Sequence, residues 1–112
     1  MKLNHLNLTV TDVGEAHQFL KTYFGLKGEP GNSNIAFLTD DNGLVLTLTG
    51  MKLGQETTVR YPNNFHIGFI QPAAGHVDAI YERLKADGYN VPPPSRQHGS
   101  WTFYFHAPGG YT

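Results

Sequence analysis

Leu3-Asn4-His5-Leu6-Asn7-Leu8-Thr9-Val10 decides the fold, because it is answered 61 positions later by Asn64-Phe65-His66-Ile67-Gly68-Phe69-Ile70. In the first stretch Leu6, Leu8 and Val10 share one face and His5, Asn7 and Thr9 the other. In the second, Phe65, Ile67 and Phe69 oppose His66 and Gly68. Alternation with period two predicts a strand with one apolar face in each case.

A helix signal follows each strand. Asp12 reads as an N-cap, with Glu15 three residues on to complete a capping box. Ala16, Phe19, Leu20 and Tyr23 recur at helical spacing, and Gly25 ends the run. The same offset of 61 carries these four residues onto Val77, Ile80, Tyr81 and Leu84, a second stripe ended by Gly88. Such stripes are core, with no cofactor role.

A hairpin then closes each half. Residues 27–33 are a glycine-rich loop, residues 35–39 a strand, and Asp41-Asn42-Gly43 a turn that accepts positive φ. The return strand, residues 44–49, alternates Leu44, Leu46 and Leu48 against Val45, Thr47 and Thr49. Residues 50–62 are a polar connection. In the second half Pro92-Pro93-Pro94 is a stiff connector, residues 101–106 an aromatic strand, and Ala107-Pro108-Gly109-Gly110 a second turn leading into Tyr111-Thr112. The offset grows to 63 between Gly25 and Gly88 and to 67 between Gly43 and Gly110, as small loop insertions would make it.

The 112 residues suit one domain. Hydrophobic residues form 39% of the chain, enough for a packed interior. A net charge of −1, with no basic stripe, argues against nucleic acid. Without cysteine there is neither a disulfide framework nor thiolate chemistry. No apolar run approaches the roughly 18 residues of a membrane span. The strand pattern begins at once, leaving no room for a signal peptide, so the expected compartment is the cytoplasm.

Each helix stripe needs apolar surface to bury, so it covers the apolar face of its strand. The opposite faces hold His5 and Asn7 in one half and His66 and Gly68 in the other. Were the halves side by side, these faces would line one cavity. Two imidazoles on rigid strands are a natural start for a divalent metal site, suited to zinc, iron, nickel or manganese. A catalytic site would add a carboxylate and keep positions open. None of the nine carboxylates falls on the inward face of a predicted strand. Four residues past Gly43 stands Thr47, inward-facing but a poor ligand.

The paired strand-helix-hairpin modules, Leu3-Asn4-His5-Leu6, Phe65-His66-Ile67-Gly68-Phe69 and the ending Ala107-Pro108-Gly109-Gly110-Tyr111-Thr112 resemble the vicinal oxygen chelate superfamily. That superfamily includes glyoxalase I, bleomycin and fosfomycin resistance proteins, and extradiol dioxygenases. The resemblance covers the whole chain and is specific for superfamily rather than for activity. It implies an α+β fold of two βαβββ modules, over about residues 1–60 and 61–112. Their curved sheets would form an open, partly closed barrel-like sheet around a shared cavity, with the last strand incomplete. Any further strand of the first module must come from residues 51–60. A ferredoxin-like fold is the alternative, disfavoured because each half has its own hairpin.

The resemblance further implies metal ligation by His5 and His66. A third ligand, usually glutamate, would fall at position 114, beyond Thr112, and the chain is expected to continue there. Asn7 and Thr47 flank the metal and would bind substrate. Arg60, Tyr61 and Arg96 are loop residues that could meet an anionic substrate, though solvated loop is the plainer role. Tyr104 shares a strand face with His106 and would line the cavity. Trp101, Phe103 and Phe105 are expected in the core. His17 and His76 are expected at the surface, and His98 in an exposed loop.

The expected function is that of a metal-dependent enzyme, a lyase, isomerase or dioxygenase, whose Lewis-acid metal binds oxygens of a small substrate; no catalytic base is identifiable. The alternatives are a metal-free protein that sequesters a small molecule such as an antibiotic, and an interaction domain without a site. A homodimer is expected, from an unclosed sheet edge and from the family's habit.

Overall fold

A computed structural model describes residues 1–112. The chain divides into two compact units. The first holds Met1–Phe65 with Ala107–Tyr111, the second His66–His106 with Thr112.

In the first unit, β1 (His5–Val10) leads into α1 (Val13–Phe24), then β2 (Ile35–Thr39) and β3 (Val45–Gly50). The helix starts where Asp12 Oδ1 accepts the Glu15 amide at 2.9 Å, and stops at Gly25, whose φ of 67° is left-handed. Turn chemistry sets the β2–β3 hairpin: Asp40 Oδ1 accepts the amides of Asn42 and Leu44, both at 2.8 Å. The glycine-rich loop runs so close to β2 that a Cβ on Gly28 would collide with the Phe37 carbonyl.

The strand order is β1-β3-β2, with β3 parallel to β1 and antiparallel to β2. Alternation places Leu8, Val10, Ala36, Leu38, Leu46 and Leu48 in the core, with Ala16, Phe19 and Leu20 of α1. Residues 51–60, the only candidates for a further strand of this module, form turns and irregular backbone.

The buried side of α1 differs from expectation at His17, which is 3% exposed with its Nε2 lacking a hydrogen-bond partner. Its place, four residues after Val13 and three before Leu20, belongs to the apolar stripe. Helical geometry overrode the polarity of the side chain.

The turn at 107–111 belongs to this unit. Ala107 bridges to Tyr111, and the Thr11 amide donates to Gly109 O at 3.1 Å. Tyr111 is buried, its hydroxyl without a partner. Burial, reinforced by the nearby Tyr61, pushes that hydroxyl above the ordinary tyrosine range. A raised folded-state pKa means stability is intact below about pH 10 and falls as pH rises further, since the unfolded chain sheds the proton first. Tyr111→Phe removes both the orphaned hydroxyl and this alkaline loss. The variant is expected to be more stable by about 1 kcal/mol at pH 7 and flatter above pH 10, as urea midpoints across pH would show. A loss of stability at pH 7 would mean that the hydroxyl contributes to the fold rather than burdening it.

In the second unit, α2 (Ala74–Ala86) is followed by β4 (Ser95–Gln97) and β5 (Ser100–Thr102), an antiparallel pair. No side chain caps the start of α2, whose N-cap position is Ala73. Tyr81 and Leu84 are buried, and Val77 and Ile80 half-buried. The β4–β5 hairpin was not visible in the sequence; its turn residues His98 and Gly99 have φ of 51° and 79°. That left-handed pair matches the twist of a tight hairpin.

Residues 64–70 keep the expected alternation of burial but join neither sheet, and the aromatic strand is shorter than expected, ending at Thr102. Trp101 is not core. It is 37% exposed and anchored by its indole N–H, which donates to Asp78 Oδ1 on α2 at 2.7 Å.

Candidate functional site

The face of the first sheet turned away from its core carries three cross-strand rows. His5, Val45 and Thr39 form the first, Asn7, Thr47 and Phe37 the second, and Thr9, Thr49 and Ile35 the third. The structure thus brings Asn7 and Thr47 together as neighbours on adjacent strands, one row from His5. Backbone ladders hold all of these positions, which suits a site needing fixed geometry.

Thr49 organises the centre. Its hydroxyl lies 3.2 Å from Asn7 Oδ1, 3.4 Å from Leu8 O and 3.5 Å from Thr9 Oγ1. With Asn7 Oδ1 facing Thr49, the Asn7 amide N–H groups remain to donate to a ligand oxygen. Nearby, the Tyr61 hydroxyl donates to Thr9 O at 2.8 Å while its ring stacks on Phe65 at 4.6 Å. Burial raises the Tyr61 pKa, so this hydroxyl stays a neutral donor. Tyr61 is therefore a brace under β1, whereas Arg60 before it is exposed.

His5 is exposed, and its Nδ1 lies 3.1 Å from Asn4 Oδ1. An amide oxygen only accepts, so this contact places a proton on Nδ1 and makes Nε2 the ring nitrogen whose lone pair could ligate a metal. Metal-bound histidines are oriented by this kind of partner. The donor chemistry of His5 fits a divalent ion.

Phe37 is the member of this face that the sequence did not single out. It is 52% exposed, in the row of Asn7 and Thr47. Alternation with buried Ala36 and Leu38 was the signal that could have found it. Phe37 and Thr39 also border an open hollow of about 510 Å³, lined besides by Lys27, Glu29 and the intervening loop.

In the second unit, the exposed His66 ring meets Tyr104 edge-on, with centroids 5.1 Å apart. His106 Nδ1 lies 3.1 Å from Thr112 Oγ1. Arg96 is exposed on β4, opposite Trp101. His76 and His98 are exposed, as expected. No strand contains an Asp or Glu, and no three His, Cys, Asp or Glu side chains gather closely enough to hold a metal. The imidazoles of His5 and His66 each have the donor chemistry for a divalent ion, and no group of three such side chains completes a site.

The superfamily profile of glyoxalases, bleomycin resistance proteins and dioxygenases matches residues 2–112. Fold and sequence agree: the chain belongs to the glyoxalase/bleomycin resistance protein/dioxygenase superfamily. Among solved structures it is similar to a possible glyoxalase from Bacillus cereus, with 44% identity, 99% of this chain and 94% of that chain covered, and a TM-score of 0.87. A lactoylglutathione lyase from Agrobacterium tumefaciens shares the fold at 22% identity, covering 98% and 88%, with a TM-score of 0.74. The fosfomycin resistance protein FosX from Listeria monocytogenes, in a complex with Mn(II) and sulfate, is 26% identical over 86% of this chain and 71% of that one, at a TM-score of 0.65. None of the curated proteins matches the sequence. No helix is long and apolar enough to cross a membrane.

Proposed function

We propose that the protein is a metal-dependent enzyme of glyoxalase or dioxygenase type, acting on a small oxygenated molecule as a cytoplasmic homodimer. The observation that carries this is His5: an exposed imidazole on a strand, its Nδ1 held by Asn4, with a repeat-related counterpart in His66. His5 and His66 are the proposed ligands. The ion would be zinc, iron, nickel or manganese. When bound, such an ion supplies Lewis acidity toward oxygens of the substrate.

The remaining roles follow from what each side chain offers. Asn7 and Thr47 would orient substrate oxygens through N–H and O–H donors, with the exposed Phe37 ring as an apolar wall. Arg60 and Arg96 would attract an anionic group, and Tyr104 would donate from its phenol beside His66. The Mn(II) in the FosX complex supports a metal in this family.

A metal-free binder is the second reading, favoured by the lack of a three-ligand cluster. The two part experimentally. Protein stripped with chelator and reloaded with each candidate ion should retain about one ion per chain after gel filtration, by elemental mass spectrometry. Retention of none of the four ions would refute the metal reading. Small-molecule binding that chelator leaves unchanged would then establish the second.

A further inference from the structure

His66, Thr112 and His106 repeat the positions of His5, Val45 and Thr39, at offsets of 61, 67 and 67. In the first unit those three residues form one rung of the sheet, with Val45 paired to both of its neighbours. In the second unit the Ile67 amide donates to Thr112 O at 3.0 Å, and His106 Nδ1 lies 3.1 Å from Thr112 Oγ1. Thr112 is thus tied to both flanking segments, as Val45 is. The first rung carries one imidazole. The second carries two, with a hydroxyl between them.

Both imidazoles of the second rung belong to one face. His66, Tyr104 and His106 are exposed, whereas the alternating Ile67, Phe103 and Phe105 are half-buried. The His66 ring also approaches the segment that carries His106. It meets Tyr104 edge-on, with centroids 5.1 Å apart, and Tyr104 lies two residues before His106 on the same face. Core packing does not call for a histidine at position 106, which is exposed just as Thr39 is in the first unit.

Segments that flank a single strand lie about 9–10 Å apart. Two imidazoles rising from one face across that span can share an ion, because each adds a metal–nitrogen bond of about 2 Å to its own reach. No strand supplies an Asp or Glu, so a further donor on this face has to be a nitrogen or a hydroxyl.

We propose that His106 is a metal-ligating residue, binding through Nε2 the same ion that His66 binds. Its Nδ1 then carries the proton and donates it to Thr112 Oγ1, the kind of partner that orients a ligating histidine. The proposal rests on the metal reading at His66 and adds a second nitrogen donor from the same unit. A set rich in imidazole suits zinc or nickel better than manganese.

The test is a zinc titration of the 112-residue chain, followed by proton–nitrogen correlation spectra that resolve each imidazole nitrogen. Zinc should move the Nε2 resonances of His66 and His106 in step and leave those of the exposed His76 and His98 in place. His106→Ala should weaken zinc binding by at least about tenfold. Thr112→Val, which keeps the imidazole and removes its partner, should weaken it less. Shifts at His66 with His106 unmoved, or undiminished affinity in His106→Ala, would overturn the proposal and leave the metal reading standing. Shifts at none of His5, His66 and His106 would overturn the metal reading, and the proposal with it.

Discussion

His5→Ala is expected to reduce bound divalent metal by at least about tenfold while leaving the fold intact. Losing an orienting partner alone typically costs 10–100-fold in metal affinity, and losing the ligand itself removes the bond that the partner supports. Asn4→Ala should therefore show a smaller loss, of about tenfold, because Nδ1 would lose its acceptor while Nε2 remained. The fold should tolerate His5→Ala because the side chain is exposed and its ring is held by the adjacent, equally exposed Asn4. Such surface changes usually stay within about 0.5 kcal/mol. His66→Ala is expected to behave as His5→Ala does. Elemental analysis paired with thermal melts reads both quantities. Undiminished metal in either variant would remove that histidine from the ligand set, and a collapsed melting transition would show a structural role instead.

Leu48→Ala should destabilise the protein by about 3–5 kcal/mol, the largest effect expected of a single core truncation here. Leu48 is fully buried on β3, the central strand of the first sheet, between Leu8 on β1 and Ala36 on β2. A central strand cannot close over the void, because ladders on both sides hold its backbone in place. Domains of this size have only about 5–15 kcal/mol of net stability, so the variant would sit near the edge of folding at about 37 °C. Thr47→Ala is the control. It lies one residue away on the opposite, half-exposed face and should cost less than about 1 kcal/mol. Urea denaturation of the two variants decides the matter. Equal losses would mean that the two faces of β3 do not differ as burial indicates.

Much of the candidate face was legible because its signals are local. Alternation along residues 3–10 and 44–49 set His5, Asn7 and Thr47 opposite the leucines, and the ladder keeps them there. Phe37 was equally available from its alternation with Ala36 and Leu38. His17 was misplaced because its polarity spoke louder than its position in the helical stripe. The organising role of Thr49 could not be read, because its three partners lie 40 or more residues away along the chain.

By itself the sequence determined the repeated pattern, the helix bounded by Asp12 and Gly25, the turn at Asp41-Asn42-Gly43, the polar face of residues 5–10, and the superfamily. Each of these depends on a residue and its near neighbours, or on the order in which such short patterns recur. Only the tertiary structure decided which alternating segments became sheet. Residues 5–10 found β3 beside them, whereas residues 66–70, with the same alternation, joined no ladder. It also decided that Trp101 leans outward on Asp78 and that His98 and Gly99 close a hairpin. The physical reason is shared: a strand is completed by hydrogen bonds to another segment, and burial by what packs above it, and neither is encoded in the segment alone.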